Sequence, residues 1–136
     1  QKQHGMAILF ITHDLGVIRQ LADDLLVMQN GCIVEQGDAR RIFASPQHPY
    51  TRGLLACRPR IAEQIKKVQP IPGNVPDLAN QPPGCAFAPR CPLAQPACTE
   101  GPVPLVENAA GVSNRCLQPV DYQRKPEWSC ESVGRL

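Results

Sequence analysis

With 136 residues the chain has the length of about one domain, yet 15 Pro and 10 Gly beside only 4% aromatic residues describe a modest core joined to an irregular part. A formal net charge of +2, with Lys and Arg scattered rather than clustered, excludes strong polyanion binding, so nucleic acid is not an expected partner. No apolar run approaches the roughly 20 residues that span a bilayer, so any role at a membrane has to run through other subunits.

In chain order, a strand over Met6 to Thr12 comes first, its residues through Ile11 a continuous apolar run of the kind that forms a buried parallel strand. It delivers Thr12, His13 and Asp14 to its carboxyl end, where open α/β sheets place their ligands. Leu15, Ile18, Leu21 and Ala22 then recur at helical spacing, with Asp14 positioned to cap the helix. Short strands are expected over Leu25 to Met28 and Ile33 to Glu35, joined at Asn30-Gly31, because both turn residues tolerate positive φ. This hairpin is expected to cap the sheet, with Glu35 at its edge. Asp38 can cap a helix over Ala39 to Phe43, with Arg40 and Arg41 outward, Ile42 and Phe43 inward, and Ser45-Pro46 ending it. A second short helix starts near Pro49 and buries Leu54 and Leu55 before Pro59. From Arg58 to Gln81 a weak helical segment, Ile61 to Val68, precedes Pro70, Pro72 and Pro76, which reads as an extended linker. The fold class is α/β, with divisions at 1–57, 58–82 and 83–136, the last an irregular extension rich in Pro and Cys.

The string I-T-H-D-L, followed by a short helix and L-L-V-M-x-x-G-x-I-V-E-x-G, resembles the switch-histidine region and following hairpin of ABC transporter ATP-binding subunits. Ile42 to Leu55 (IFASPQHPYTRGLL) and Pro83 to Pro92 (PGCAFAPRCP) are similar to the tail of the oligopeptide and dipeptide importer branch, and the resemblance runs from about Gly5 to Cys116. No G-x-x-x-x-G-K-[ST] phosphate loop, no Leu-Ser-Gly-Gly signature and no apolar strand ending in Asp-Glu occurs in these residues. Gln1 to Gly5 also lacks the pattern of a signal peptide, so residue 1 is expected to be a truncation point inside a partial ABC ATPase domain. A strand without partners is marginal, so the rest of the sheet is expected from elsewhere.

ATP hydrolysis requires a γ-phosphate, Mg²⁺ and a water held in line, with positioning and charge stabilisation supplying most of the acceleration. The resemblance implies that His13 is the switch residue, donating to the γ-phosphate of ATP beside a glutamate base that is not in these residues. A loop histidine satisfied by local hydrogen bonds is the plain competing reading, as helix capping is for Asp14. His4 falls in the expected frayed start, and His48 in His-Pro-Tyr-Thr is expected to order a turn. Glu35 and Asp38 are read as edge and cap residues, not as an acid/base pair.

Five of the seven cysteines crowd the last third, and through Cys116 the spacing is C-x5-C-x6-C-x17-C, wider than most zinc knuckles. Prolines around Cys85, Cys91 and Cys98 describe an irregular loop able to wrap a bulky group, and a [4Fe-4S] cube with four corners suits such loops better than a single ion. Zinc on four thiolates, free buried thiols and disulfides remain open, the last disfavoured in a reducing cytosol. The resemblance implies Cys85, Cys91, Cys98 and Cys116 as the ligand positions. It also leads one to look for a His shortly before the last cysteine, where Gly111 to Arg115 has none. Cys130 is an alternative fourth ligand. A metal or cluster would staple a segment that has little core of its own.

The resemblance therefore implies the C-terminal part of the ATP-hydrolysing subunit of a peptide importer, peripheral at the cytoplasmic face of the cell membrane. Its implied partners are a second ATPase subunit, transmembrane permease subunits and, indirectly, a peptide-binding protein. The fragment alone is expected to be inactive. A different class also accounts for the residues: a stand-alone, metal-stapled interaction module with an α/β scaffold. A zinc hydrolase is weaker, because no His and carboxylate cluster accompanies the cysteines.

Overall fold

The computed structural model of the chain describes residues 3–57, 71–74 and 77–119. Local capping signals act as expected at two helix starts. Asp14 caps α1 (Leu15–Leu21) by accepting from the backbone N–H of Gly16 at 2.7 Å and of Val17 at 3.2 Å. Asp38 caps α2 (Ala39–Ala44) by accepting from Arg41 N at 3.0 Å, and Ser45 ends that helix. Between them β1 (Asp24–Gln29) and β2 (Cys32–Asp38) form the antiparallel hairpin, with Asn30 at φ 46° and Gly31 at φ 79°. The register shifts between Val27 and Met28, so that Val27 faces Glu35 and Met28 faces Ile33.

The run Met6 to Thr12 does not form a strand. Leu9 is 83% exposed and Ile11 89%, and no strand lies beside them among the described residues. An inner parallel strand needs hydrogen-bonding neighbours, and without them the apolar run has nothing to pair with. The hairpin, expected to cap a sheet, instead supplies half of one. β3 (Val106–Glu107) and β4 (Ser113–Asn114), from the region expected to be irregular, complete a four-stranded antiparallel sheet ordered β1-β2-β4-β3. Glu35 pairs with Asn114 and Gln36 with Ser113.

Leu25, Val27, Val34, Ala39, Ile42 and Val112 form the main core, against which Ile18, Ala22, Phe43, Tyr50 and Leu54 pack. Arg115 ties the returning strand to the hairpin. Its backbone N–H donates to Val34 O at 2.8 Å, its Nε to Ile33 O at 2.9 Å and its Nη1 to Val103 O at 2.8 Å. Arg41 Nη1 donates to Ala110 O.

Helix α3 (Pro49–Ala56) begins with Pro at its first turn, but the expected burial of Leu54 and Leu55 is corrected: both are half-buried, while Pro49, Thr51 and Gly53 are buried. The helix turns its small residues toward the interior, with Thr51 against Glu35. Of the expected linker, Leu78–Asn80 is one 3₁₀ turn, and Gln81 Nε2 donates to Asn30 O at 3.3 Å on the hairpin turn. The expected helix at Ile61 to Val68 lies outside the described residues, as does Cys130.

Candidate functional site

A second apolar cluster forms around Phe87, which is fully buried, with Ala86, Ala88 and Val103 buried as well. The Tyr50 ring meets it edge-on at 5.5 Å, the His48 ring lies at 6.2 Å and the Arg90 guanidinium sits 5.4 Å from its centroid. Around this cluster the chain turns tightly and repeatedly. Cys85 N–H donates to Cys98 O at 2.7 Å, Ala88 N–H to Cys85 O at 2.9 Å, Cys91 N–H to Ala88 O at 3.2 Å and Ala94 N–H to Cys91 O at 3.1 Å. The approach of Gly84 to Cys98 leaves no room for a side chain, since a Cβ on Gly84 would stand 2.2 Å from Cys98 O.

These turns bring Cys85, Cys91 and Cys98 to one small cavity of about 20 Å³, and the segment after β4 brings Cys116 to the same place. His48 and Phe87 line it too. Each sulfur accepts from a backbone amide. Cys85 receives Phe87 and Ala88, Cys91 receives Leu93, Cys98 receives Gln95 at 3.5 Å and Cys116 receives Gln118 at 3.4 Å. Amides aimed at sulfur favour thiolate, the form that binds metal. Burial opposes them, raising the Cys85 and Cys91 thiols and pushing Cys116 to about 11, with the neighbouring sulfurs adding to the rise. A bound cation reverses that balance. Among the described residues no group of three or more His, Cys, Asp or Glu side chains is arranged to hold a metal ion. The four sulfurs therefore share a cavity without forming a closed coordination cage.

His48 was expected to order a turn, and it does: its Nδ1 accepts from Tyr50 N at 3.1 Å at the start of α3. It is also 1% exposed, and its Nε2 lies 3.9 Å from Cys85 Sγ. Burial holds its pKa down at about 4, with the Arg115 backbone carbonyl working weakly the other way. Glu35, expected at a hairpin edge, is instead fully buried. Its Oε1 accepts from Gln47 N at 2.6 Å and its Oε2 from His48 N at 3.1 Å. Desolvation raises its pKa, and the Thr51 hydroxyl and the two amides act against the rise. The one sequence signal for Glu35 was a carboxylate among the apolar residues of a strand, and for His48 the proline that fixes its helix start.

His13 stands apart from this cavity. It is exposed on the bend before α1, where Thr12 Oγ1 accepts from Asp14 N at 3.0 Å. Asp14 is a helix cap, as expected. No helix of the described residues is long and apolar enough to cross a membrane.

Residues 34–98 match the family model described as "Oligopeptide/dipeptide transporter, C-terminal region". That match runs from β2 through His48 to Cys98. A protein of Brucella ovis, named for peptide-import ATP binding, is 44% identical over 124 residues, covering 87% of this chain and 37% of its own length. A Brucella abortus protein with the same description gives the same figures, and one from Brucella melitensis is 41% identical over 112 residues, covering 82% of this chain and 33% of its own length. The chain spans about a third of the length of these relatives.

Proposed function

The chain carries the C-terminal region of the oligopeptide/dipeptide ABC transporter ATP-binding proteins, and from that premise we propose that it is the end of the ATP-hydrolysing subunit of a peptide importer. Residues 1–57 are the end of the nucleotide-binding domain, 58–82 a linker and 83–136 the extension. ATP and Mg²⁺ are held by parts of the subunit other than these residues, and His13 meets the γ-phosphate as the switch histidine. An exposed imidazole on the bend before α1, as His13 is, is free to meet a nucleotide delivered from another surface. The subunit works at the cytoplasmic face of the membrane, paired with a second ATPase subunit and seated on permeases that a peptide-binding protein supplies.

Cys85, Cys91, Cys98 and Cys116 hold a metal centre in this reading. The single observation that supports it is their convergence on one cavity from four separate places in the chain, each sulfur facing a backbone amide. When bound, a [4Fe-4S] cluster or a zinc ion supplies cross-links that a segment with one small apolar cluster lacks. The donor set suits either group, and the sulfurs must draw together around it. A cavity of about 20 Å³ holds a water-sized occupant, which favours zinc as the second reading, since a four-iron cube requires the turns to open.

Anaerobic purification of the chain with iron, labile sulfide and zinc measured on one sample tests the centre. Cys85→Ser, Cys91→Ser and Cys98→Ser are each expected to lower metal content and melting temperature together, and unchanged values for all three discard it. In the complete subunit, His13→Ala is expected to retain ATP binding and lose most hydrolysis; normal turnover discards the switch role.

A further inference from the structure

We propose that His48 is the positioning residue of the four-cysteine site, its Nε2–H donating to Cys85 Sγ and fixing that sulfur relative to the Cys116 segment. The inference rests on the reading of these cysteines as ligands, and it assigns a role to a residue outside the ligand set.

The tautomer follows from hydrogen bonding. A neutral imidazole carries one N–H, and its other nitrogen is an acceptor. His48 Nδ1 accepts from Tyr50 N at 3.1 Å, so the proton belongs to Nε2. With Nε2 protonated, Cys85 Sγ at 3.9 Å is left to accept from it, and the backbone carbonyl of Arg115, the residue before Cys116, is a second acceptor beside the ring. One N–H thus stands between the first and last cysteine segments of the site.

The same reasoning removes His48 from the ligands. A metal would need an imidazole lone pair, and the Nδ1 pair is engaged by the Tyr50 amide while Nε2 carries the proton. The residue count of the site therefore stays at four thiols, with His48 as an outer donor.

The ring is held firmly. Glu35 Oε2 accepts from His48 N at 3.1 Å, the Phe87 ring lies 6.2 Å away at 54°, and the side chain is 1% exposed. A line of contacts runs from β2 through Glu35 and His48 to Cys85. Outer donors of this kind orient ligands and tune metal centres, and hydrogen bonds to cluster sulfurs help set the reduction potential.

Long-range ¹H–¹⁵N correlation spectra of the ¹⁵N-labelled 136-residue chain at neutral pH should show His48 as the Nε2–H tautomer. An Nδ1–H tautomer, or a metal-bound Nε2, overturns the inference without any variant being made. Two variants then separate capping from donation. His48→Asn retains an oxygen for Tyr50 N but is too short to reach Cys85, whereas His48→Gln retains a longer N–H donor. In chain loaded anaerobically with iron and sulfide, the potential of the centre should fall in His48→Asn and recover toward wild type in His48→Gln; equal potentials in all three overturn the inference.

If the wild-type chain takes up neither iron-sulfur nor zinc, the metal reading fails, and the donor role is decided on the metal-free chain. Iodoacetamide alkylation, mapped by mass spectrometry, should then slow at Cys85 roughly tenfold in His48→Asn, as expected for losing one hydrogen bond to a charged acceptor. Cys98, whose sulfur accepts from Gln95 N and not from His48, should keep its rate. An unchanged rate at Cys85, or an equal change at both cysteines, overturns the inference.

Discussion

Glu35→Gln isolates the buried carboxylate that joins the hairpin to the α2–α3 connection. The wild-type side chain is fully buried, and each oxygen serves one backbone amide, Gln47 N at 2.6 Å and His48 N at 3.1 Å. A glutamine keeps one oxygen and turns an NH₂ toward the other amide, leaving a buried donor without an acceptor at a cost of about 1–3 kcal/mol. Glu35→Leu orphans both amides and should cost more, although it removes a charge from the interior. The pH dependence gives a sharper test. Because desolvation raises the Glu35 pKa above 4.5 in the folded chain, the protonated side chain favours folding, and its contribution declines as pH rises from 4.5 through the raised value. Glutamine does not titrate. In urea denaturation series, the stability gap between wild type and Glu35→Gln should therefore narrow as pH rises from about 4.5. A gap that widens over the same range means that the two amides outweigh desolvation and refutes the assignment.

The remaining predictions concern packing of the extension. Gly84→Ala places a Cβ 2.2 Å from Cys98 O and 3.0 Å from Gly101 O, which must displace the Cys85–Cys98 backbone bond. It should cost about 2–4 kcal/mol by denaturation and lower metal uptake with it. Arg115→Met keeps length but loses the Nε and Nη1 bonds to Ile33 O and Val103 O, for an expected loss of about 2–4 kcal/mol in urea midpoints analysed at constant m. Phe87→Ala empties the middle of the second cluster and should cost about 3–5 kcal/mol, with thermal melting as the check.

What could be read from the sequence was set by residues within four positions of one another. Asp14 and Asp38 cap because their acceptors reach amides two and three residues on, and Asn30-Gly31 turns the chain because those two residues accept positive φ. The failures all depend on distant partners. Met6 to Thr12 has strand composition, but a strand is a relation between chains of hydrogen bonds and no neighbour stands beside it among the described residues. The strands at Val106–Glu107 and Ser113–Asn114 are two residues each, too short for an alternating pattern to mark them; the second exists because β2 offers Glu35 and Gln36 as partners, and the first because it pairs with the second. Arg115 is one basic residue among many in sequence and becomes a clamp only when Ile33 O, 82 positions away, is brought to it.

The cysteines show where that boundary falls inside a single site. Clustering and proline content marked Cys85, Cys91 and Cys98 as a group, because close spacing is a local property, whereas Cys116 as a fourth position came from the family resemblance. The donor beside them was hidden, since nothing within His-Pro-Tyr-Thr says that the imidazole will face a thiol 37 positions away. The route from one to the other passes through Glu35, whose own burial depends on the register shift between Val27 and Met28 and on the amides of the α2–α3 connection. A carboxylate is costly to bury unless its oxygens are satisfied. Glu35 meets that condition by holding His48 N, and so the demand of one buried charge places the imidazole that reaches Cys85.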